Sequence, residues 1–223
     1  FEVDEAKRII ETNKPLPARN EDSHDVIGTY QIVSNRQEMT LIPNSAEELL
    51  NIIVYRHKIL LSARPDKNPG LFKERNNFAG NTSFVDFNLV RGTLLQCYDF
   101  YKTLEHPFSK AAYMMFILSE VHPFLDGNGR IARIMMNAEF VSAGQSKIII
   151  PTVDRDDYMG TLRKLTRQGD CISFIKMMQK AHEFSETIFG DNYAEMHEFL
   201  SQCNALSEHT EARLKIIPRP LVG

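Results

Sequence analysis

Apolar positions recur along most of this chain at helical spacing. From Phe1 to Thr12, Val3, Ala6, Ile9 and Ile10 share one face, with nothing ahead of them to cap the helix, as if the chain starts in mid-element. Asn13 to His24, with Pro15 and Pro17 among polar residues, reads as a loop, and Gly28 to Ser34 alternates as an extended stretch. Ser45 is a helix cap: Glu47 and Glu48 favour the first turn, Leu49, Leu50, Ile53, Ile59 and Leu60 supply the apolar stripe, and Arg64-Pro65 stops it. After a turn at Asp66 to Gly70, the segment from Phe72 to Phe87 sets Asn77, Gly80 and Asn81 among Phe78, Phe84, Val85 and Phe87, the pattern of a β-hairpin.

Val90 to Leu104 is helical, and Ser109 to Val121 is apolar nearly all round, as suits the middle of a bundle. Ile131 to Ala143 is a further helix, with Gly144 as its stop. Lys147 to Ile150 has the look of a strand, and Asp156 to Arg167, Cys171 to Phe189 and Asn192 to Ile217 complete the helices. The expected fold is mainly α with one hairpin. Residues 1–44 form an N-terminal helix remnant with a loop and extended segment, 45–190 a core, and 191–223 a C-terminal helical appendage.

Composition narrows the classes of function. With 223 residues and 43% apolar content the chain can bury a substantial core. Its 26 basic and 29 acidic residues leave a formal charge of -3, which gives no field to hold a polyanion, so nucleic acid is not an expected partner. Cys97, Cys171 and Cys203 are odd in number, lie far apart and match no zinc spacing, which suits a reducing compartment. No apolar run approaches the ~18 residues of a membrane span, and the first residues lack a signal-peptide layout. The expectation is a soluble, cytoplasmic protein with no membrane contact.

Between two of the apolar helices, Ser109 to Val121 and Ile131 to Ala143, lies His122-Pro-Phe-Leu-Asp-Gly-Asn-Gly-Arg-Ile-Ala-Arg133. Pro123 disfavours helical geometry at His122, so the preceding helix ends there and presents the imidazole at its edge. Gly127 and Gly129 bracket Asn128 and lead into the next helix; such glycines let backbone N–H groups converge on an anion, and the helix N-terminus adds positive potential. A phosphate suits this loop. Arg130 and Arg133, one turn apart on the side opposite Ile131, Ile134 and Met135, can grip phosphate oxygens through paired N–H groups, as lysine cannot. Asp126 beside a phosphate is a liability unless it holds a cation, for which Mg²⁺ is the usual choice. His122 is the one group of the segment with an ordinary pKa near neutrality, and hence the candidate general base.

Each feature alone has a plain structural explanation: a capping histidine, a Gly-Asn-Gly turn, a solvated Arg-x-x-Arg face. Their concurrence within one short segment favours chemistry. His106-Pro107-Phe108 repeats the first three residues but leads into Ser-Lys-Ala without acid, glycine or arginine, so His106 is assigned a structural role. Gly127-x-Gly129-x-x-Ala132 also fits a dinucleotide fingerprint, with Asp154 after the apparent strand, but a helix and His-Pro-Phe-Leu-Asp precede the first glycine where that fingerprint needs a strand. No GxxxxGK[ST], HExxH or GxSxG sequence occurs.

The twelve residues from His122 to Arg133 resemble the signature of Fic domains, HPFx[DE]GNGRxxR, at every defined position. Pro69-Gly-Leu-Phe-Lys73 and the hairpin to Phe87 look like that family's docking flap, and Arg155-Asp-Asp-Tyr158 and Gly169-Asp170 resemble the stretch after the signature helix, so the likeness covers about residues 45 to 180. It implies a Fic-type helical bundle whose activity is transfer of AMP from ATP to a Ser, Thr or Tyr hydroxyl of a target protein. His122 is then the base, Phe124 packs under the loop, and Asp126 positions Mg²⁺. Asn128 with the Gly127 and Gly129 amides holds the α- and β-phosphates, and Arg130 and Arg133 neutralise pyrophosphate and the γ-phosphate. The target docks on the flap at about residues 77–85.

Related sequences that phosphorylate carry a lysine and lack the second glycine, so Gly129-Arg130 favours nucleotide transfer, whereas branches that move phosphocholine share much of the signature. Many members also carry an inhibitory helix, [ST]xxxE[GN], whose glutamate pairs with the second signature arginine. Ser34 to Glu38 and Ser207 to Glu211 have the spacing, but Met39 and Ala212 break the last position. Phe1 to Ile10 resembles the stretch directly after such a helix, which implies a regulatory glutamate just upstream of Phe1. Two alternatives to transfer stay open: an ATP-sensing interaction module with little catalysis, and removal of AMP by the same site, which needs that glutamate.

Overall fold

The computed structural model describes residues 1–219. Ten α-helices and one two-stranded sheet make up its regular structure among these residues, in the order α1 (Val3–Thr12), α2 (Asn20–Val33), α3 (Arg36–Met39), α4 (Ala46–Leu60), β1 (Phe78–Ala79), β2 (Thr82–Ser83), α5 (Val90–Tyr101), α6 (Pro107–Val121), α7 (Asn128–Ser142), α8 (Arg155–Gln168), α9 (Cys171–Glu186) and α10 (Tyr193–Gln202). The protein is mainly α with one hairpin, as expected. It divides into two compact units, Phe1–Gly144 and Gln145–Gly223. The break lies inside the 45–190 stretch read above as one core.

In the first unit the apolar helices form the centre. α7 packs most extensively on α6, and Met114, Met115, Leu118, Ile131, Met135 and Ala138 are all at most 1% exposed. Ser45 caps α4 by accepting from the Glu48 amide at 3.1 Å, and Pro107 opens α6 at its first position, where its missing N–H costs nothing. The hairpin pairs Phe78 with Ser83 and Ala79 with Thr82 in antiparallel register, with Gly80-Asn81 at its turn.

Three readings of the first 44 residues need correction. α1 does have a closed front, because Glu5 Oε2 accepts from the Glu2 amide at 3.1 Å. Asn20 to His24 is helix rather than loop, and Gly28 to Ser34 is not extended, since both belong to α2 or its C-cap. The buried face of α2 consists of Ser23, Asp25, Gly28 and Ile32. Three of those four are polar or lack a side chain, so no apolar stripe marks the helix in the sequence. Gly28 allows the backbone of α4 to come close: a Cβ there would stand 2.7 Å from the Ile59 carbonyl oxygen and 3.0 Å from that of Leu60.

The second unit is built on α8 and α9, with a small core of Phe184, Phe199, Cys203 and Ala205. Lys147 to Ile150 forms no strand. The Ile149 amide donates to the Ser185 hydroxyl of α9 at 2.8 Å instead of to a neighbouring strand. The helix expected over Asn192 to Ile217 ends at Gln202. Asn204 takes a left-handed conformation at φ 60°, and the chain turns back so that the Lys215 amide reaches the Cys203 carbonyl at 2.9 Å. Residues 220–223 of the expected appendage lie outside the described residues. Among the described residues no helix is long and apolar enough to cross a membrane.

Gly28→Ala should lower the unfolding free energy by about 2–4 kcal/mol, because its methyl meets backbone rather than a movable side chain. Urea denaturation measures this; a loss below about 0.5 kcal/mol would mean that α2 and α4 do not approach so closely.

Candidate active site

All eight candidate residues fall in the first unit, on the connection between α6 and α7 and in the first turns of α7. α6 ends where Pro123 forbids its continuation: His122 is its C-cap at φ 49°, ψ 60°. The two His-Pro-Phe sequences therefore sit at opposite ends of one helix, with His106 exposed at its start and His122 half-buried at its exit. His122 Nδ1 lies 3.3 Å from the Ser119 carbonyl, an acceptor only, so Nδ1 carries the proton and Nε2 the lone pair in the neutral ring. The Phe84 ring, just past β2, stacks on the imidazole at 3.7 Å between centroids and 8° between planes. Burial drives the His122 pKa down to about 4, with the nearby Lys73 charge acting in the same direction. The imidazole is thus neutral at pH 7, well clear of the ordinary range in which it was expected to titrate.

Phe124 anchors the loop. It is completely buried, its ring stacked on His57 of α4 at 3.7 Å and tilted against Phe72 at 5.6 Å. Its amide donates to Asn128 Oδ1 at 2.9 Å, and its carbonyl accepts from Asn128 Nδ2 at 2.9 Å and Asn77 Nδ2 at 2.8 Å. Both ends of the Asn128 amide are committed inside the loop. The residue is 3% exposed, and its side chain braces the backbone of the loop.

Gly127 starts α7 at φ 75°, where a Cβ would be strained and would also meet Leu61 at 3.2 Å. The Asp126 carboxylate accepts from the Gly127 amide through Oδ1 at 2.6 Å, while its side chain is 44% exposed. Arg130 donates from Nη1 to Asp25 of α2 at 2.5 Å, and its Nη2 stands 3.7 Å from Asp126 Oδ1. Arg133 folds back over the first turn of α7, its Nη1 3.5 Å from where a Cβ on Gly129 would sit. The two guanidinium groups thus flank the N-terminus of α7; the Arg130 amide is bonded back to the Gly127 carbonyl at 3.1 Å, and the Asn128 and Gly129 amides, one turn too early for a helical acceptor, face the same end. The arrangement can hold a polyphosphate at that helix end.

Asp126 also fits a magnesium ion of the hydrated, phosphate-bridged kind. It is a half-exposed carboxylate beside the anion site with Oδ2 uncommitted to the loop. Among the described residues no group of three or more His, Cys, Asp or Glu could build an all-protein metal cage. Any metal here would therefore depend on phosphate oxygens and water for most of its ligands.

Several residues that shape the site were not singled out in the sequence. His57 accepts from the Gly70 amide at Nδ1, 2.9 Å, so its Nε2 carries the proton and donates to the Asp126 carbonyl at 3.1 Å. Lys73 was quoted as part of the flap stretch, but it is 3% exposed. Its ammonium donates to Asn77 Oδ1 at 2.8 Å and the Val121 carbonyl at 3.3 Å, and its amide donates to Pro123 at 2.8 Å. Burial lowers its pKa. A histidine in the last turn of an apolar helix and a lysine directly after Phe72 were the available signals, and both are weak. Glu38, which has the inhibitory spacing but not its last position, is paired with buried Arg56 at 2.8 Å. Arg155 to Tyr158 opens α8 in the second unit.

The Fic/DOC family model matches residues 47–139. A Fido domain-containing protein of Dictyostelium discoideum is 34% identical over 103 residues, covering 44% of this chain and 72% of that protein. The protein adenylyltransferase Fic of Drosophila persimilis is 26% identical over 189 residues, covering 80% of this chain and 36% of that protein. The chain thus spans little more than a third of the length of such relatives. Among solved structures, Fic-1 of C. elegans (residues 134–508) has a TM-score of 0.67 at 21% identity, over 92% of this chain and 59% of that one. A Fic domain-containing signaling protein from Bacteroides thetaiotaomicron has a TM-score of 0.67 at 18% identity, over 81% and 76%. Both show that the fold is shared.

Burial holds His57 neutral, its pKa lowered from 6.5 to about 4. Its unfolded form takes up a proton first, so the stabilisation is complete above pH 6.5 and drains away as the pH falls towards 4, by about 3 kcal/mol at most. His122, lowered to about 4 by the same cause, adds a like loss, so denaturant unfolding at pH 7 and pH 4.5 should show both, and His57→Gln should remove about half of the dependence. An undiminished slope in that variant would place the acid sensitivity elsewhere.

Proposed function

The chain belongs to the Fic/DOC family, and from that premise and the site's geometry we propose that it transfers AMP from ATP to a hydroxyl side chain of a target protein. The single observation that carries this reading is the neutral His122, with its proton on Nδ1 and its lone pair on Nε2, at the exit of the helix whose successor presents Arg130 and Arg133. ATP as the co-substrate is consistent with relatives named protein adenylyltransferase.

In this mechanism the ATP polyphosphate lies across the N-terminus of α7. The Gly129 amide and the Arg130 and Arg133 guanidiniums take up charge on the β- and γ-phosphates, and the rigid loop keeps the α-phosphorus before His122. His122 Nε2 accepts the proton of the incoming hydroxyl, whose oxygen bonds to the α-phosphorus as the bond to the bridging oxygen breaks and pyrophosphate leaves. Mg²⁺, held by Asp126, supplies neutralising charge for the phosphates when bound. Asn128 contributes its backbone and the shape of the loop, not its side-chain amide. The target segment runs along residues 77–85, where main-chain pairing to the short hairpin holds it beside His122; the exposed Phe78 ring offers it an apolar contact.

Incubation with ATP labelled at the α-phosphate should place label on protein, whereas label at the γ-phosphate should not stay. His122→Ala should cut the rate by about 10²–10⁴-fold. The acid limb of the rate should fall near pH 4 to 5 and not at 6.5, because burial keeps the base unprotonated. Tight ATP binding without label on either the chain or a lysate protein would support a sensor and reject transfer.

A further inference from the structure

Arg130 does not project freely towards solvent. Its Nη1 is bonded to Asp25 at 2.5 Å, a residue of α2 that is 8% exposed and stands 105 positions away in the chain. Asp25 is itself fixed by Arg64, whose Nε lies 3.1 and 3.0 Å from its two carboxylate oxygens. The other nitrogens of Arg64 go to Glu21 at 3.0 Å and Asp22 at 2.6 Å, and Asp22 also takes Arg19 at 3.3 Å. Asp25 is therefore held in place by contacts that do not involve Arg130. On its other side Arg130 approaches Asp126. The guanidinium is strung between a buried carboxylate on α2 and a half-exposed one on the loop.

We propose that Asp25 is a positioning residue for Arg130, fixing its guanidinium so that it meets the β-phosphate of a bound nucleotide without first being ordered. The inference rests on the transfer reading for the ligand's identity. Two effects oppose each other here. An arginine side chain has about 2 kcal/mol of rotamer entropy, part of which is removed in advance when one N–H pair is already held. A carboxylate near an anion site repels the anion. On the α2 side three carboxylates, Glu21, Asp22 and Asp25, face three guanidiniums, Arg19, Arg64 and Arg130, so Asp25 adds little net negative charge at the anion site and its repulsion is small; Asp126, on the loop side, is the one further carboxylate beside Arg130. Positioning wins. Arg130 and Asp25 both line an open cavity of about 480 Å³ with Val26 and Tyr30, so space beside the guanidinium is there for it to move into when Asp25 does not hold it.

Calorimetric titration of the whole chain with ATP and with AMP, each with Mg²⁺, tests this. Asp25→Asn should weaken ATP binding about 5–10-fold and leave AMP within twofold, because AMP has no β-phosphate. In an Arg130→Ala background the same change should cost nothing further, as expected of groups that act through one another. Asp25→Glu keeps the charge and the Arg64 pair but misplaces the contact; a smaller, ATP-selective loss of about threefold is expected, which also serves if the asparagine variant folds poorly. Tighter ATP binding in Asp25→Asn, an equal loss for AMP, or the same cost with and without Arg130 would each overturn the proposal. Label transfer by the unaltered chain is measured alongside: its absence with the Asp25–Arg130 coupling intact rejects transfer alone, and its presence without coupling rejects positioning alone.

Discussion

The loop between α6 and α7 keeps its shape because Phe124 cannot leave. Its ring is buried against His57 and Phe72, and its backbone amide and carbonyl are both bonded to the Asn128 side chain. Burial of a phenylalanine contributes about 1.5–3 kcal/mol, and a stacked aromatic pair adds about 0.5–1.5. Freeing the loop would also strand buried polar groups on Asn128 and His57, each a cost of about 1–3 kcal/mol. Those costs fall together, so the loop moves only if several contacts break at once. His122 on one side and Gly127 on the other inherit their positions from that anchor.

Groups in this site divide by depth. Inside are uncharged or partnered groups that hold backbone: His57 on Asp126, Lys73 on Pro123 and Val121, Asn77 and Asn128 on Phe124. Outside are groups left to meet a ligand: the Asp126 carboxylate, Arg133 and the Asn128 and Gly129 amides. His122 lies at the border. It is buried enough for its pKa to drop to about 4, yet its Nδ1 bond to Ser119 leaves Nε2 as the atom that can accept a proton. A base that is neutral at every ordinary pH acts without a competing protonated form.

The helices with apolar stripes, α4 to α7, were legible in the sequence, as were the hairpin and the break at His122. α2 was not. Its inward face carries Ser23, Asp25 and Gly28, which are buried by ion pairs and close backbone approach instead of hydrophobic contact, so the usual period is missing. Lys147 to Ile150 looked like a strand by residue type, but its amide is taken by a serine of α9. The helix beyond Gln202 failed for a local reason, the left-handed Asn204. At the site, the glycines, Asp126 and the two arginines were legible as a cluster, whereas the part of Asn128 as a brace on Phe124 was not.

What the sequence by itself determined was the set of short-range constraints. Pro123 ends one helix, Gly127 takes a positive φ at the start of the next, and Arg130 and Arg133 stand one turn apart on it. Each follows from backbone sterics within a few residues, so local residue types suffice to state it. Only the tertiary structure decided that Asp25 holds Arg130, that Phe84 covers His122 and that His57 and Lys73 tie down the loop. Those pairs join residues tens of positions apart, and a carboxylate or an aromatic ring leaves no trace in its own neighbourhood of the partner that the fold will bring to it.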